Sequence, residues 1–302
     1  MFKKYMAAMF LVLPLLAGAT EKIILIYGFS PASNQANFYR ALAREVNSAQ
    51  TKYEIVVETK PGAGGAIAAN HTLANSQTTL LGGGSTFFLR SNFDRATGYS
   101  TDNFKPVFVQ AVDAPLVLLS KKYKTLKEAQ QAANLTVSIS GYGSHSHLMA
   151  EILKERLPQV RIVNYATMVD ANRDIVGQHI DSGWNFLSNA DDIIETGVAH
   201  AIAITGIRNI KSYQTFKAQG IADFDQLSSN TAIFAGKEMP DAKTQELFEL
   251  FRVANSAPSV KILYDKEFST QPNLTREQTH KWYNDQVLFW TRMSGKIKSF
   301  QK

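Results

Sequence analysis

The side chains most suited to metal or acid–base chemistry are His145 and His147. Both fall at the start of a predicted helix, where residues i and i+2 point roughly 200° apart at ~100° per residue. The other histidines are scattered along the chain, so we predict no metal site. His145 stays a candidate hydrogen-bond donor to an anion, because it lies near a helix N-terminus.

Ser144 precedes these histidines and raises the question of nucleophilic catalysis. The Gly-x-Ser-x-Gly motif of a nucleophile elbow is absent, and residues that are neighbours in a chain do not thereby form a triad. We therefore predict no catalytic residue. The alternative is a secreted enzyme for a small anionic substrate, in which His145 acts with Ser144 or Asp170.

The run Gly62-Ala63-Gly64-Gly65 follows a predicted strand and opens a helix. A dinucleotide fingerprint needs a further glycine where Ile67 stands, and a P-loop needs Lys followed by Ser or Thr after its last glycine. Neither pattern is complete. We predict a tight turn with positive φ angles, and no cofactor.

Short polar loops precede several predicted helices, at residues 30–34, 83–86 and 141–144 and at Thr167 near Asp170. The first N–H groups of a helix lack partners within the helix and lie at the positive end of its dipole, so they can hold carboxylates. Any single loop of this kind is also an ordinary helix N-cap. The strand pattern places these loops on the facing edges of two predicted lobes. Together they predict an anion site there.

Strands alternating with helices must position these loops. Apolar runs predict strands at residues 22–27, 53–58, 79–81, 107–112, 116–120, 135–140, 160–164, 180–184 and 200–205. After residue 230 the pattern is helical, at 241–254, 258–264 and 275–298. We predict two α/β lobes with parallel sheets, residues 20–114 with 231–302 and residues 115–230. Two hinge crossings join the lobes, and the ligand cleft lies at the carboxyl ends of the strands.

Composition narrows the function classes. The chain has 302 residues, a net charge of +6 and no cysteine, which excludes disulfides, thiolate nucleophiles and iron–sulfur clusters. Basic residues form no tract, so we predict no nucleic-acid partner. Lys3 and Lys4, the apolar run 6–16 and Ala17-Gly18-Ala19 predict a signal peptide over residues 1–19, cleaved after Ala19. The mature protein is expected in the periplasm.

Several segments follow one order of motifs. The most specific is Pro61-Gly62-Ala63-Gly64-Gly65 after the second predicted strand, and the others are Ile139-Ser140-Gly141-Tyr142-Gly143-Ser144, Val163-Asn164-Tyr165 and residues 175–181. In these segments the chain resembles the extracytoplasmic solute receptors of the tripartite tricarboxylate transporters, the Bug family. The resemblance extends over essentially the whole mature chain.

The resemblance implies a type II periplasmic-binding-protein fold. Such a receptor closes on a small organic acid, which would be a di- or tricarboxylate or an aromatic acid, and delivers it to the transporter's membrane permease. We expect a monomer. A sensor that signals to a membrane kinase would share this fold, and stays a second alternative.

The resemblance also implies ligand contacts by loop amides and small hydroxyls. The residues implied in this way are Phe29, Ser30, Ala32, Ser33, Gly84, Ser85, Thr86, Gly143, Ser144, Tyr165 and Asp170, to which the polar-loop argument adds His145 and Thr167. In the first loop, Ala32-Ser33 replace the family's glycine pair and Ala36 replaces its aspartate. We therefore do not transfer tricarboxylate specificity.

Overall fold

The computed structural model describes residues 19–92 and 97–297. Residues 1–18 of the predicted signal peptide lie outside this part. The described chain contains two five-stranded sheets flanked by helices. The first sheet with its helices is called the first lobe, and the second sheet with its helices is called the second lobe. This architecture matches the predicted α/β class.

The first sheet has the strand order β2-β1-β3-β10-β4. Its strands are β1 (Glu21–Tyr27), β2 (Tyr53–Thr59), β3 (Thr79–Gly84), β4 (Phe104–Ala114) and β10 (Ser229–Gly236). The second sheet has the order β7-β6-β8-β5-β9. Its strands are β5 (Leu116–Ser120), β6 (Leu135–Ile139), β7 (Val160–Asn164), β8 (Ser182–Phe186) and β9 (His200–Ile204).

The helices connect and cover these strands. They are α1 (Asn34–Ala49), α2 (Ala66–Ala74), α3 (Ser85–Ser91), α4 (Leu126–Gln131), α5 (His145–Arg156), α6 (Met168–Val176), α7 (Leu187–Glu195), α8 (Asp241–Ala254), α9 (Pro258–Glu267) and α10 (Arg276–Ser294). Within the described residues, none of them combines the length and apolar character needed to span a membrane. Helices α8 and α10 both contact β4 of the first sheet.

The central strands of both sheets are mostly buried on both faces, which explains their continuous apolar runs. The edge strands β2 and β7 are partly exposed. Ile23 and Leu25 of β1 are fully buried in one apolar cluster that includes Phe38 of α1. Ile26 belongs to a second cluster, on the side of α2 and α3. This second cluster also includes Trp290 of α10 and continues into the second lobe.

The prediction of parallel sheets is wrong for two strands. β10 runs antiparallel to β3 and β4, and β5 runs antiparallel to β8 and β9. The prediction that the chain turns helical at residue 230 is also wrong, because Ser229–Gly236 is a strand. A chain that crosses from one lobe to the other enters the new sheet at the edge where its parallel strands end, so it must run against them.

The first crossing between the lobes is short, and a hydrogen bond joins its end to the second crossing. Only Pro115 separates β4 from β5, and its carbonyl accepts a hydrogen bond from the Leu187 N–H at 3.0 Å. In the second crossing, the Thr205 hydroxyl accepts from the Leu116 N–H at 2.9 Å and lies 3.2 Å from the Ser228 hydroxyl. These contacts hold the crossings side by side, as a hinge requires.

We expect Gly84→Ala to destabilise the protein, because an added Cβ would lie 1.9 Å from the carbonyl oxygen of Asn230. The backbone would have to shift, at a cost of roughly 1–3 kcal/mol in the free energy of unfolding, measured by urea denaturation. The control is Gly295→Ala, where the nearest atom is 3.4 Å away. Equal losses of stability in both variants would contradict the close approach of β3 and β10.

Candidate functional site

The predicted polar loops lie at the carboxyl ends of parallel strands and lead into helices. Ser33 is the N-cap of α1, Gly84 of α3, Ser144 of α5 and Thr167 of α6. The hydroxyls of Ser33, Ser144 and Thr167 each accept a hydrogen bond from the backbone N–H three residues later. These side chains are therefore N-caps first, but a hydroxyl that accepts in this way still has its own hydrogen to donate.

The first loop, with Phe29, Ser30, Ala32 and Ser33, packs on the glycine turn. The Ser30 hydroxyl accepts from the Ala32 N–H at 3.2 Å. A Cβ on Gly28 would lie 2.7 Å from the Cα of Gly65, and one on Gly65 would meet the Phe29 ring at 3.5 Å. The two loops of the first lobe thus lie against each other.

The turn itself has the conformation that its glycines predict. Gly62, Gly64 and Gly65 have φ angles of 131°, 61° and 91°, a region that L side chains rarely adopt. Because the chain reverses so tightly, α2 begins immediately at Ala66.

The third loop, with Gly84, Ser85 and Thr86, is fixed to strand β10. Ser85 is buried, and its hydroxyl accepts from the Asn230 N–H at 3.3 Å. Thr86 is half-buried in the first turn of α3. This loop therefore connects the start of α3 to β10.

In the second lobe, Gly143, Ser144 and His145 are buried at the start of α5. The Ser144 hydroxyl lies 2.8 Å from that of Ser146, and the Gly143 N–H donates to Nδ1 of His147 at 3.2 Å. The His145 ring lies edge-on to the Trp290 ring of the first lobe, with centroids 5.0 Å apart. Burial lowers the pKa of His145 to about 4, so the ring is neutral at neutral pH.

Tyr165, Thr167 and Asp170 form hydrogen bonds near their own helix. The Tyr165 hydroxyl donates to Asp174 at 2.8 Å, and burial together with this carboxylate raises the Tyr165 pKa to about 12. The Asp170 carboxylate accepts from the Thr167 hydroxyl at 2.7 Å and from Arg173 at 3.0 Å. None of these bonds reaches the first lobe.

Two contacts that the sequence analysis did not predict connect the facing edges. Asn34 of α1 donates its side-chain N–H to the Ser188 hydroxyl of α7 at 3.2 Å, and Ser188 donates to the buried Glu267 carboxyl at 3.0 Å. Arg90 of α3 donates through Nη1 to the Tyr142 carbonyl of the second lobe. The carboxyl edges of the two sheets therefore face each other.

The described residues contain no group of three or more His, Asp or Glu side chains placed to hold a metal ion. A cavity of about 650 Å³ lies at the hinge, between the crossings and α10. Its walls include Asp113, Arg208 and Trp282. None of the predicted site residues lines it.

The sequence from residue 39 to residue 298 matches the family described as Tripartite tricarboxylate transporter family receptor. The chain belongs to this family. The predicted resemblance to the solute receptors of the tripartite tricarboxylate transporters is confirmed.

Solved structures show the same fold. The receptor superposes on the periplasmic binding protein BugD with a TM-score of 0.80 at 19% identity, covering 91% of this chain and 97% of that chain. MatC from Rhodopseudomonas palustris with bound malate gives 0.78 at 19% identity, over 91% and 99%. An R. palustris protein with adipate gives 0.79 at 17% identity, over 92% and 97%.

A sequence relative is the UPF0065 protein in the TAR-I ttuE-ttuC' intergenic region of Agrobacterium vitis, 28% identical over 151 residues. The matched segment spans 49% of this chain and 41% of that protein.

Glu267 gives the receptor a pH-dependent stability. Burial raises its pKa from 4.5 to about 7, so its contribution to folding is complete below pH 4.5 and is lost as the pH rises through 7. Glu267→Gln should therefore raise the free energy of unfolding at pH 8 by up to about 3 kcal/mol, with little gain at pH 4.

Denaturant unfolding at the two pH values measures this difference. The control Glu54→Gln removes an exposed carboxylate and should change stability by less than about 0.5 kcal/mol at both. A gain for Glu267→Gln that is equal at both pH values would show that burial of the charge is not its cause.

Proposed function

We propose that the protein is a periplasmic receptor for a small organic carboxylate, which it captures by lobe closure and passes to the permease of a tripartite tricarboxylate transporter. The observation that carries the proposal is the set of helix N-termini, α1 and α3 from the first lobe and α5 and α6 from the second, at the facing edges. Unpaired N–H groups and helix dipoles favour an anion at such a position. The family membership and the neighbours solved with malate and adipate agree with this chemistry.

Closure follows from contacts made to the ligand by both lobes. A ligand shifts the equilibrium between open and closed forms only by as much as it binds the closed form better. We propose that residues 20–114 with 231–302 form one rigid body and that residues 115–230 form the other. The two bodies would rotate about Pro115 and the second crossing. The predicted site residues of each body then meet on one ligand.

A hydrolytic function finds no support in the geometry. The described contacts of the Ser144 hydroxyl are the Ser146 hydroxyl and the His147 backbone N–H. His145 faces Trp290, and burial lowers its pKa. A nucleophile needs a base within hydrogen-bond reach of its oxygen, so we infer a binding protein rather than an enzyme.

Ser85→Ala and Ser144→Ala should each weaken carboxylate binding by about tenfold, because each removes a buried hydroxyl from a different lobe. A thermal-shift screen over mono-, di- and tricarboxylates identifies the ligand, since ~100 times the dissociation constant stabilises a receptor by ~2.7 kcal/mol. Isothermal titration calorimetry then compares the variants.

Ser48→Ala is the control, because Ser48 is exposed on the far end of α1 and bonds to the Glu45 carbonyl. Its affinity should equal that of the wild type. Unchanged affinity in both Ser85→Ala and Ser144→Ala would exclude these loops as the site, and the absence of a shift with every acid would exclude the proposed function.

The predicted export is tested on the protein isolated from the cells that produce it. Signal-peptide cleavage after Ala19 should give a mature chain that begins at Thr20, visible by intact-mass spectrometry of the periplasmic fraction. An intact N-terminus at Met1 in the cytosolic fraction would contradict a periplasmic receptor.

A further inference from the structure

We propose that Glu267 couples anion binding to proton uptake, so that the receptor takes up its carboxylate ligand together with H⁺ on this side chain. The inference rests on the proposed function and adds a proton to what the site binds. Glu267 is the last residue of α9 in the first lobe. No motif in the sequence indicated it.

The Glu267 carboxyl is buried where the two lobes meet. Only 6% of the residue is exposed, and α9 packs against α1 of the first lobe and α7 of the second. The Ser188 hydroxyl of α7 donates to Oε2 of Glu267 at 3.0 Å and accepts from the Asn34 side chain at 3.2 Å. Asn34 is the first residue of α1, so two hydrogen bonds join the carboxyl to one helix N-terminus of the proposed anion site.

Tyr27 connects Glu267 to the first loop by a second route. It ends β1 immediately before this loop, and its ring centroid lies 5.4 Å from that of Phe29. Burial raises the pKa of Tyr27, a hydrogen bond with Ser33 lowers it, and the negative charge of Glu267 raises it further. The carboxyl is therefore within electrostatic reach of the residues that lead into α1.

An anion at this helix start favours the protonated form of Glu267. Burial raises the pKa of the free carboxyl to about 7, against the smaller effects of the Ser188 hydrogen bond and the Lys266 charge. A second negative charge nearby disfavours ionisation and raises the pKa again when the ligand binds. Between these two pKa values the free receptor is ionised and the liganded receptor is protonated, so binding takes up a proton.

The charged side chains around Glu267 are exposed or have other partners. Those with described partners are Arg40 with the Pro31 carbonyl, Glu45 with Ser259, Asp191 and Glu195 with Lys211, and Arg208 with the Phe268 carbonyl. Those that are exposed are Arg44, Asp192, Lys261, Asp265 and Lys266. In the described part of the chain none of them forms an ion pair with Glu267, so protonation is the route to a neutral carboxyl.

The buried histidines at the start of α5 do not compete for this proton. Burial lowers the pKa of His145 to about 4. It also lowers the pKa of His147, against the opposing effect of Glu151. Proton uptake near neutral pH is therefore assigned to the carboxyl of Glu267.

Isothermal titration calorimetry with adipate, which is ionised between about pH 6.5 and 8.5, measures the coupling. Malate takes its place if the thermal-shift screen shows no stabilisation by adipate. At about pH 7.5 the titration is run in phosphate and in Tris, because the difference between their ionisation enthalpies reports the protons taken up. For a tenfold coupling between anion and proton, the wild type should take up roughly half a proton, and its affinity should fall roughly fivefold across the pH range.

Glu267→Gln should take up no proton and should bind with the low-pH affinity of the wild type at every pH, because the amide resembles the protonated carboxyl. The matched control Glu54→Gln removes an exposed carboxylate from β2 and should keep the uptake and pH profile of the wild type. Ser188→Ala removes a hydrogen bond that favours the ionised form. It should move the fall in affinity to higher pH.

Two results would overturn the coupling. One is a wild type that binds its acid without proton uptake, and the other is an uptake that Glu267→Gln retains. A loss of affinity in Glu267→Gln that is equal at every pH would show that the residue has only a structural role, and would overturn the proposal as well.

These outcomes are distinct from a failure of the proposed function. A wild type that binds no acid in the thermal-shift screen refutes the carboxylate receptor itself, whereas binding without proton uptake refutes only the role of Glu267. If Glu267→Gln does not fold, as judged by its unfolding transition, the ¹³Cδ chemical shift of Glu267 in the wild type carries the test. It must titrate at higher pH with the acid bound than without it.

Discussion

The structure depends on helices that start where parallel strands end. Each such helix has N–H groups in its first turn with no carbonyl partner inside the helix. In this protein α1 and α3 present these groups from one sheet, and α5 and α6 from another. The contacts Asn34–Ser188 and Arg90–Tyr142 show that the two sets face each other. We propose that an anion binds between these two positively polarised edges.

We propose a double role for hydroxyls at these edges. Ser33, Ser144 and Thr167 accept an N–H of their own helix, which stabilises the helix start. The Ser33 and Ser144 hydroxyls each carry one hydrogen that can be donated to an oxygen of a ligand, whereas the Thr167 hydroxyl donates its hydrogen to the Asp170 carboxylate. A residue chosen for capping is therefore also suited to bind a carboxylate, and an ordinary N-cap and a binding residue are not exclusive descriptions.

Much of the fold could be predicted from local patterns. The apolar runs marked the strands because strands buried on both faces are continuously apolar, and the glycine turn at 62–65 was recognisable because positive φ angles favour glycine. Strand β10 was missed since its place between β3 and β4 depends on a chain that returns through the hinge. The apolar pattern of a buried strand does not indicate whether the strand runs parallel or antiparallel to its neighbours.

The contacts between the lobes were not predictable from the sequence, because they join residues far apart in the chain. Arg90 and Tyr142 are 52 positions apart, and Asn34 and Ser188 are 154 apart. An arginine at the end of a short helix has no distinguishing pattern of its own. Only the fold shows that Arg90 lies against Gly64 and Gly143, and that Glu267 is buried beside Ser188.

The central claim is that N–H groups from both lobes meet on one anion. Amide chemical shifts of the ¹⁵N-labelled protein, recorded with and without adipate, measure this directly. The account predicts shifts in the first turns of α1 and α3 and, at the same ligand concentration, in the first turns of α5 and α6. Shifts confined to one lobe, or to the walls of the hinge cavity, would contradict it.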